Sequence, residues 1–333
     1  MTATATAPVA VASGTGRALE DLLDRVSGQR PEHAGRARRE LALTLAATRA
    51  SAVGDLAWQA SCLTPTRFPV EVAVSSARDE LRTVVDVLAP EADRTLALPT
   101  AIDWAVRFWS EAPESRTVAL LHDHQREVPL RFGAWLGSRH SAQSTTHKLY
   151  VELDPVPERA WRLLDALVPD ARRVLAGVGR LRFLGLVLDP SAAVEVYLRP
   201  PILDEATLRA CMGRAGLAGS AEALLAALAD GGTLAGRNHA LSVSFVGGRA
   251  VAAAGFTFAH HRYRRDHRVR ERVLNLARSE GWPSAALYEA VSRPLAEPRP
   301  LARPVHTALS EVVATGTPGV VHHVGLAPPP VTS

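Results

Sequence analysis

The chain has 333 residues, 47% of them hydrophobic, which is enough to bury a large core in one big domain or two modest ones. Its 38 Lys and Arg residues nearly balance 34 Asp and Glu residues and form no long basic run that could follow a nucleic-acid backbone. We therefore expect a folded protein whose primary role is not nucleic-acid binding.

The two cysteines, Cys62 and Cys211, lie far apart and outside any CxxC or Cys/His cluster, which indicates a reducing cytoplasm and argues against structural zinc. No apolar run approaches the roughly 18 residues needed to cross a bilayer, and residues 1–16 lack the basic start of a secretory signal. We expect a soluble protein with a disordered tail at 1–16, a single domain over 17–326 and a proline-rich tail at 327–333.

Hydrophobic periodicity predicts two helices between Ala18 and Cys62, separated near residues 28–31. The further predicted elements, in chain order, are a strand over 68–75, helices over 77–88 and 101–110, a hairpin of 117–121 with 128–136, a strand over 146–154, a helix over 157–167, a hairpin of 181–188 with 194–198, a helix over 204–229, a hairpin of 241–246 with 250–258, a helix over 266–279 and a hairpin of 305–313 with 320–326. Hairpins that alternate with helices are typical of an antiparallel sheet with helices on one side.

The predicted strands have one polar face. On the strand over 146–154, Lys148 and Tyr150 point away from Leu149 and Val151, and Lys148 is the only lysine of the chain. Lysine presents a compact charge that arginine does not replace, which indicates a specific task at this position.

A sheet that faces bulk water would show the same alternation. The alternative is that about ten strands close into a barrel wide enough to hold a ligand, with the helices outside. Glu, Lys, Tyr and Arg side chains on neighbouring inward faces suit an anion-binding and proton-transfer site.

Four segments carry a resemblance to the ABBA aromatic prenyltransferases, namely residues 68–75, 148–151, 194–200 and the terminal hairpin. Their order and spacing are similar to the family's over roughly residues 67–326. The resemblance implies an α+β fold in which an antiparallel ten-stranded β-barrel with a polar lumen is surrounded by outer α-helices.

The resemblance also implies roles for individual residues. In the indole-directed branch a glutamate on the first barrel strand accepts the indole N–H, and an arginine eleven residues later reaches the diphosphate, as Glu71 and Arg82 are spaced here. The family's Lys-x-Tyr diphosphate grip matches Lys148 and Tyr150, and a further phosphate-side tyrosine matches Tyr197. Each residue also has an ordinary explanation, as a surface glutamate, a solvated helix arginine or half-buried strand tyrosines.

The sequence departs from the family pattern on the strand over 194–198. Ala193 and Glu195 occupy two positions that are cationic in the family, and a carboxylate there would repel diphosphate. We expect Arg199 to compensate from the same face. The chain has only 4 tyrosines, so Phe256, Phe258 or histidines would have to shield a carbocation.

The remaining candidates are acceptor or lumen contacts, which we predict to be Glu195, Ser244, Phe258, His260 and His323. On a strand, only one histidine of each adjacent pair, 260–261 and 322–323, can face the lumen. The His122-x-His124 pair and these pairs lack a carboxylate or cysteine framework, so no metal site is predicted. No role is assigned to the charged run at 262–265.

Together with the composition, the resemblance implies a cytoplasmic, monomeric prenyltransferase of secondary metabolism that needs neither cofactor nor metal. It would move a dimethylallyl or longer allylic group from its diphosphate onto an indole or tryptophan-derived acceptor. Two alternatives remain open. The first keeps the barrel but assigns a phenolic or other non-indole acceptor, or cyclisation of a prenylated substrate. The second is a non-catalytic barrel that binds a hydrophobic small molecule.

Overall fold

The structure is a computed structural model that describes residues 16–109, 113–126, 128–189, 191–230, 234, 239–298 and 301–329. Its strands are Val70–Ser75 (β1), Leu81–Asp86 (β2), Ala134–His140 (β3), Thr145–Glu152 (β4), Arg180–Leu188 (β5), Val194–Arg199 (β6), His239–Val246 (β7), Arg249–Phe258 (β8), His306–Ala314 (β9) and Val321–Leu326 (β10). Its α-helices are Gly16–Ser27 (α1), Pro31–Thr44 (α2), Ala46–Arg49 (α3), Ala97–Trp109 (α4), Ser115–Gln125 (α5), Pro157–Leu167 (α6), Ala171–Leu175 (α7), Glu205–Arg214 (α8), Ala221–Ala229 (α9), Ala259–Tyr263 (α10), Asp266–Glu280 (α11) and Ala285–Ser292 (α12).

The strands form a closed antiparallel barrel in which each strand pairs with its neighbours in sequence and β1 pairs with β10. Closure leaves every strand with two partners, so no edge is exposed. The helices pack on the outside of this wall. The predicted fold class, an antiparallel ten-stranded barrel surrounded by helices, is confirmed.

The hydrophobic core lies between the barrel wall and the helices. Outward strand residues such as Val72 and Leu149 pack in one apolar cluster with helix residues such as Leu41 and Leu164. On β1 and β6 the inward residues alternate with outward ones, and Glu71, Ala73, Glu195 and Tyr197 are half-buried. Half-buried inward side chains show that they line an open lumen rather than a packed interior.

Two predicted segments are wrong. Residues 77–88 do not form a helix but contain β2, whose β-branched Thr83, Val84 and Val85 favour an extended chain. The predicted hairpin of 117–121 with 128–136 is also wrong, because the first run belongs to α5 and the second leads into β3. The buried residues of α5, Leu121, His124 and Gln125, have the spacing of one helix face.

Most other elements are confirmed, and α6 begins and ends at the predicted residues. The long helix predicted over 204–229 is divided into α8 and α9 around Gly216, whose φ of 73° cannot continue a helix. The predicted N-terminal tail lies outside the described residues except for Gly16, and residues 330–333 also lie outside them. Within the described ranges, none of the helices combines the length and apolarity required to span a bilayer.

Candidate active site

Lys148 is the central cation of the lumen. Its Nζ forms an ion pair with Glu195 and donates to the Tyr197 hydroxyl at 3.2 Å. The same atom lies 5.0 Å from the centre of the Tyr150 ring and 5.4 Å from that of Tyr197. The Lys148 side chain is 10% exposed. A carboxylate and two aromatic rings therefore hold the ammonium, consistent with cation–π attraction.

Two glycines make room for these side chains. A Cβ atom added at Gly185 on β5 would lie 2.2 Å from Lys148 Cε, and one at Gly137 on β3 would lie 2.7 Å from Tyr150 Cε2. Lys148 and Tyr150 thus extend across the neighbouring strands at positions where no side chain is present. The sequence analysis missed both glycines, although a glycine inside a strand often marks a close approach.

We expect Gly185→Ala to lower the free energy of unfolding by about 1–3 kcal/mol, because the added methyl group overlaps Lys148. Gly213→Ala in α8 is the matched control, since nothing lies within 4 Å of its added Cβ. That change should leave stability unchanged or raise it by up to about 1 kcal/mol. Urea denaturation of both variants measures the difference. Equal stabilities would contradict the placement of Lys148 across Gly185.

Glu195 is held in its charged form. Burial raises the pKa of this carboxyl, but the Lys148 ammonium and hydrogen bonds from Lys148, Ser242 and Tyr197 outweigh burial and lower the pKa. Burial together with the Glu195 charge raises the pKa of Tyr197 well above its ordinary value, so Tyr197 remains a neutral donor. Ser242, which the sequence analysis missed, donates to Glu195 from β7. The predicted Ser244 pairs with Glu195 across the same strands.

Arg82 lies on β2 and forms a second cationic group with Arg139 of β3, its cross-strand partner. Arg82 is 2.6 Å from the buried Glu80 carboxylate, and its Nη1 is 3.2 Å from His323 Nδ1. Burial lowers the pKa of His323 well below its ordinary value, and the charges of Arg82, Arg139 and Lys148 lower it further. His323 is therefore a neutral acceptor beside three cations. Arg139 and Glu80 were not predicted.

Glu71 faces the lumen from β1. Burial raises the pKa of the carboxyl to about 7, although the neighbouring Thr307 hydroxyl acts in the opposite direction. Thr307 lies at an irregularity in the β9–β10 pairing. A Cβ at Gly325 would be 2.3 Å from Thr307 Oγ1 and 3.2 Å from Glu71 Oε1, so a third glycine opens the space in front of the carboxyl. Glu71 can change its protonation state near neutral pH.

Aromatic rings line one continuous part of the lumen. Phe183 stacks on Tyr197 at 4.1 Å and lies 6.2 Å from Tyr150, while Phe256 lies 5.8 Å from Tyr197. Trp135 is 6.3 Å from Phe183 and extends the array. Phe256 was anticipated from the sequence, whereas Phe183 and Trp135 were missed. These rings supply the aromatic surface that the small number of tyrosines left in question.

Other predicted residues lie at the barrel rim. Phe258, at the end of β8, is 50% exposed and contacts His260 and His261 instead of the lumen rings. His260 is on the short helix α10 rather than on a strand. His322 faces outward, where it stacks on Trp282.

Arg199 is exposed at the last position of β6, not beside Lys148. Inward residues two positions apart on a strand are separated by about 6.6 Å, which carries Arg199 beyond Tyr197 to the rim. Near the rim, burial lowers the pKa of Arg182, and the positive charges of Arg131, Arg180 and Arg199 lower it further. Among the described residues, no three or more His, Cys, Asp and Glu side chains are grouped so that they could hold a metal ion.

No family model matches this sequence, and no curated protein sequence matches it either. Solved structures do match over nearly their whole length. The prenyltransferase PriB in complex with its product diphosphate is 20% identical, with 94% of this chain and 96% of that chain covered and a TM-score of 0.75. The 5-dimethylallyl tryptophan synthase from Streptomyces coelicolor, in complex with DMASPP and Trp, is 16% identical, with 97% and 99% covered and a TM-score of 0.74.

The 6-dimethylallyltryptophan synthase from Micromonospora olivasterospora, also in complex with DMASPP and Trp, is 18% identical. The match covers 96% of this chain and 98% of that one, with a TM-score of 0.73. The chain therefore has the ABBA barrel fold of these prenyltransferases.

Proposed function

We propose that the protein is an aromatic prenyltransferase that moves an allylic group from its diphosphate onto an indole or tryptophan-derived acceptor. The observation that carries this proposal is one lumen that brings together three cations, a continuous ring surface and a carboxyl group with a pKa of about 7. Proteins with the same fold have been solved with diphosphate, and with DMASPP and Trp. Those complexes support a lumen that receives both substrates.

The cations would stabilise the leaving group. When the allylic C–O bond breaks, its electron pair goes to the diphosphate oxygen, and the negative charge develops beside Lys148, Arg82 and Arg139. Preorganised donors at such a position lower the barrier because they need no reorganisation during the reaction. The neutral Tyr197 hydroxyl is within hydrogen-bonding distance of Lys148 and would supply a further donor. These side chains provide the positive charge themselves, so we propose a reaction without a metal or a cofactor.

The rings would shield the allylic carbocation. The faces of Tyr150 and Tyr197 already contact one cation, the Lys148 ammonium. Phe183 and Phe256 extend that surface away from the ammonium. A delocalised carbocation is attracted to aromatic faces in the same way, while the apolar rings keep water from trapping it.

Glu71 would act on the acceptor. Its carboxylate form accepts a hydrogen bond from the indole N–H and so increases electron density in the ring. A ring carbon then attacks the allylic carbon. The alkylated carbon then loses its proton to a base, for which Glu71 itself is our candidate. A pKa of about 7 suits a group that must accept and release a proton near neutral pH.

Incubation of the purified protein with dimethylallyl diphosphate and a panel of acceptors tests this function. The panel contains indole, tryptophan, cyclic dipeptides of tryptophan and simple phenols. We expect release of diphosphate and the gain of one prenyl mass on an indole compound. Transfer only to phenols would favour the alternative in which the acceptor is a phenol. Inactivity with every acceptor and with longer donors would contradict the proposal.

A non-catalytic barrel is the second candidate, because Glu195 neutralises the ammonium on which diphosphate binding depends. It predicts that aromatic compounds bind with no turnover and that calorimetry detects no affinity for diphosphate.

A further inference from the structure

The part of the lumen that would bind the headgroup of the allylic substrate has little net charge. Of its three cations, Lys148 is paired with Glu195 and Arg82 with Glu80. Only Arg139 forms no ion pair with a carboxylate in the part of the chain that the structure describes. His323 does not add a charge, because its pKa lies well below the ordinary value. Three cations therefore face two carboxylates.

Contacts from several strands hold Glu195 in its place beside Lys148. It accepts hydrogen bonds from Lys148 on one side and from Ser242 on the other. Gly185 lies between the two strands that carry the pair, and any larger residue there would meet Lys148. Three separate strands thus contribute to holding a negative charge against the lumen's only lysine.

An anionic headgroup that reaches Lys148 must come close to Glu195, because the same Nζ contacts both. The repulsion between like charges increases with the charge of the headgroup and is strong where water is scarce. An allylic diphosphate carries about three negative charges at neutral pH, whereas a monophosphate ester carries about two. The penalty that Glu195 imposes is therefore larger for the diphosphate.

We propose that Glu195 sets the headgroup charge that this lumen accepts, so that an allylic monophosphate ester binds at least as tightly as the corresponding diphosphate. This inference rests on the proposed function, because it assumes that the donor headgroup lies at Lys148. It assigns to Glu195 a role in donor specificity.

Calorimetric titration of the full chain with dimethylallyl monophosphate and with dimethylallyl diphosphate tests the inference. For the unaltered protein we expect the monophosphate Kd to be equal to or lower than the diphosphate Kd. Glu195→Gln should tighten diphosphate binding by about tenfold or more and monophosphate binding by less, so that the preference reverses. Glu158→Gln, at an exposed position in the first turn of α6, makes the same change in net charge and should alter neither constant.

A diphosphate Kd below the monophosphate Kd in the unaltered protein overturns the inference, as does a Glu195→Gln variant with an unchanged ratio of the two constants. If the unaltered protein nevertheless transfers the dimethylallyl group from diphosphate, the proposed function stands while the inference fails. If neither ester binds to either protein, both the inference and the proposed function are contradicted. Should Glu195→Gln fail to fold, the ratio measured on the unaltered protein decides alone.

Discussion

Replacing Lys148 by alanine is expected to abolish donor binding and to reduce prenyl transfer by at least 100- to 1,000-fold, on the order of the loss of one preorganised donor or more. The change removes the point charge beside Tyr150 and Tyr197. It also leaves the Glu195 carboxylate unpaired and facing the headgroup, so that attraction is replaced by repulsion. The loss should therefore exceed that of a cation without such a partner.

The double variant Lys148→Ala with Glu195→Gln separates the two contributions. Removing the unpaired carboxylate should restore part of the stability and part of the donor affinity lost in the single variant, but not transfer. Calorimetry with the donor, urea denaturation and a product assay follow the three properties. A Lys148→Ala protein that binds the donor as tightly as the unaltered chain would place the headgroup elsewhere in the lumen.

Glu71→Gln is expected to reduce turnover by about 100- to 10,000-fold, the usual contribution of a positioned base, while donor affinity stays nearly unchanged. Glutamine keeps the size of the side chain but neither accepts a proton nor carries a charge. Because Glu71 lies beside Thr307 and Gly325, and none of the three cations is among the groups that shift its pKa, the diphosphate contacts should survive. Single-turnover assays with saturating donor measure the chemical step.

The pH dependence gives a second readout for the same residue. Since burial raises the pKa of Glu71 to about 7, transfer should increase with pH through that value as the carboxylate forms. The folded-state pKa lies above the ordinary value of 4.5, so the native state retains a proton that the unfolded state has released. Stability should therefore fall between about pH 4.5 and 7.

The Glu71→Gln variant should lose both the step in its rate profile and this fall in stability. Rate profiles and urea denaturation below and above the window provide the test. A variant that keeps the step near neutral pH would assign the titration to another group.

Local patterns in the sequence predicted the inward placement of several site residues. Alternation along β1, β4 and β6 placed Glu71, Lys148, Tyr150 and Tyr197 on polar faces, because the pleat of a strand repeats every two residues whatever surrounds it. The sequence also predicted the first and last residues of α6 correctly, since a proline at the first position and a strongly one-sided apolar pattern mark a helix. Such signals need no knowledge of distant partners.

Where charges interrupt the pattern, local signals failed. β2 contains Arg82 and Asp86 within a short run and was assigned to a helix. Its identity as a strand depends on pairing with β1 and β3, which lie on either side of it in the barrel. The rim position of Arg199 was also missed, because periodicity gives the face of a strand residue but not its depth along the barrel.

The composition and alternation of this sequence determined that polar, chemically active side chains would share the inner faces of antiparallel strands. They did not determine which of those side chains meet. Only the barrel register brings Glu195 to Lys148, 47 residues away, lets Gly185 clear the path between them and adds Arg139 and Phe183 to the lumen. The physical reason is range: the pleat is set by neighbouring residues, whereas cross-strand contacts and the resulting charges depend on closure of the whole barrel.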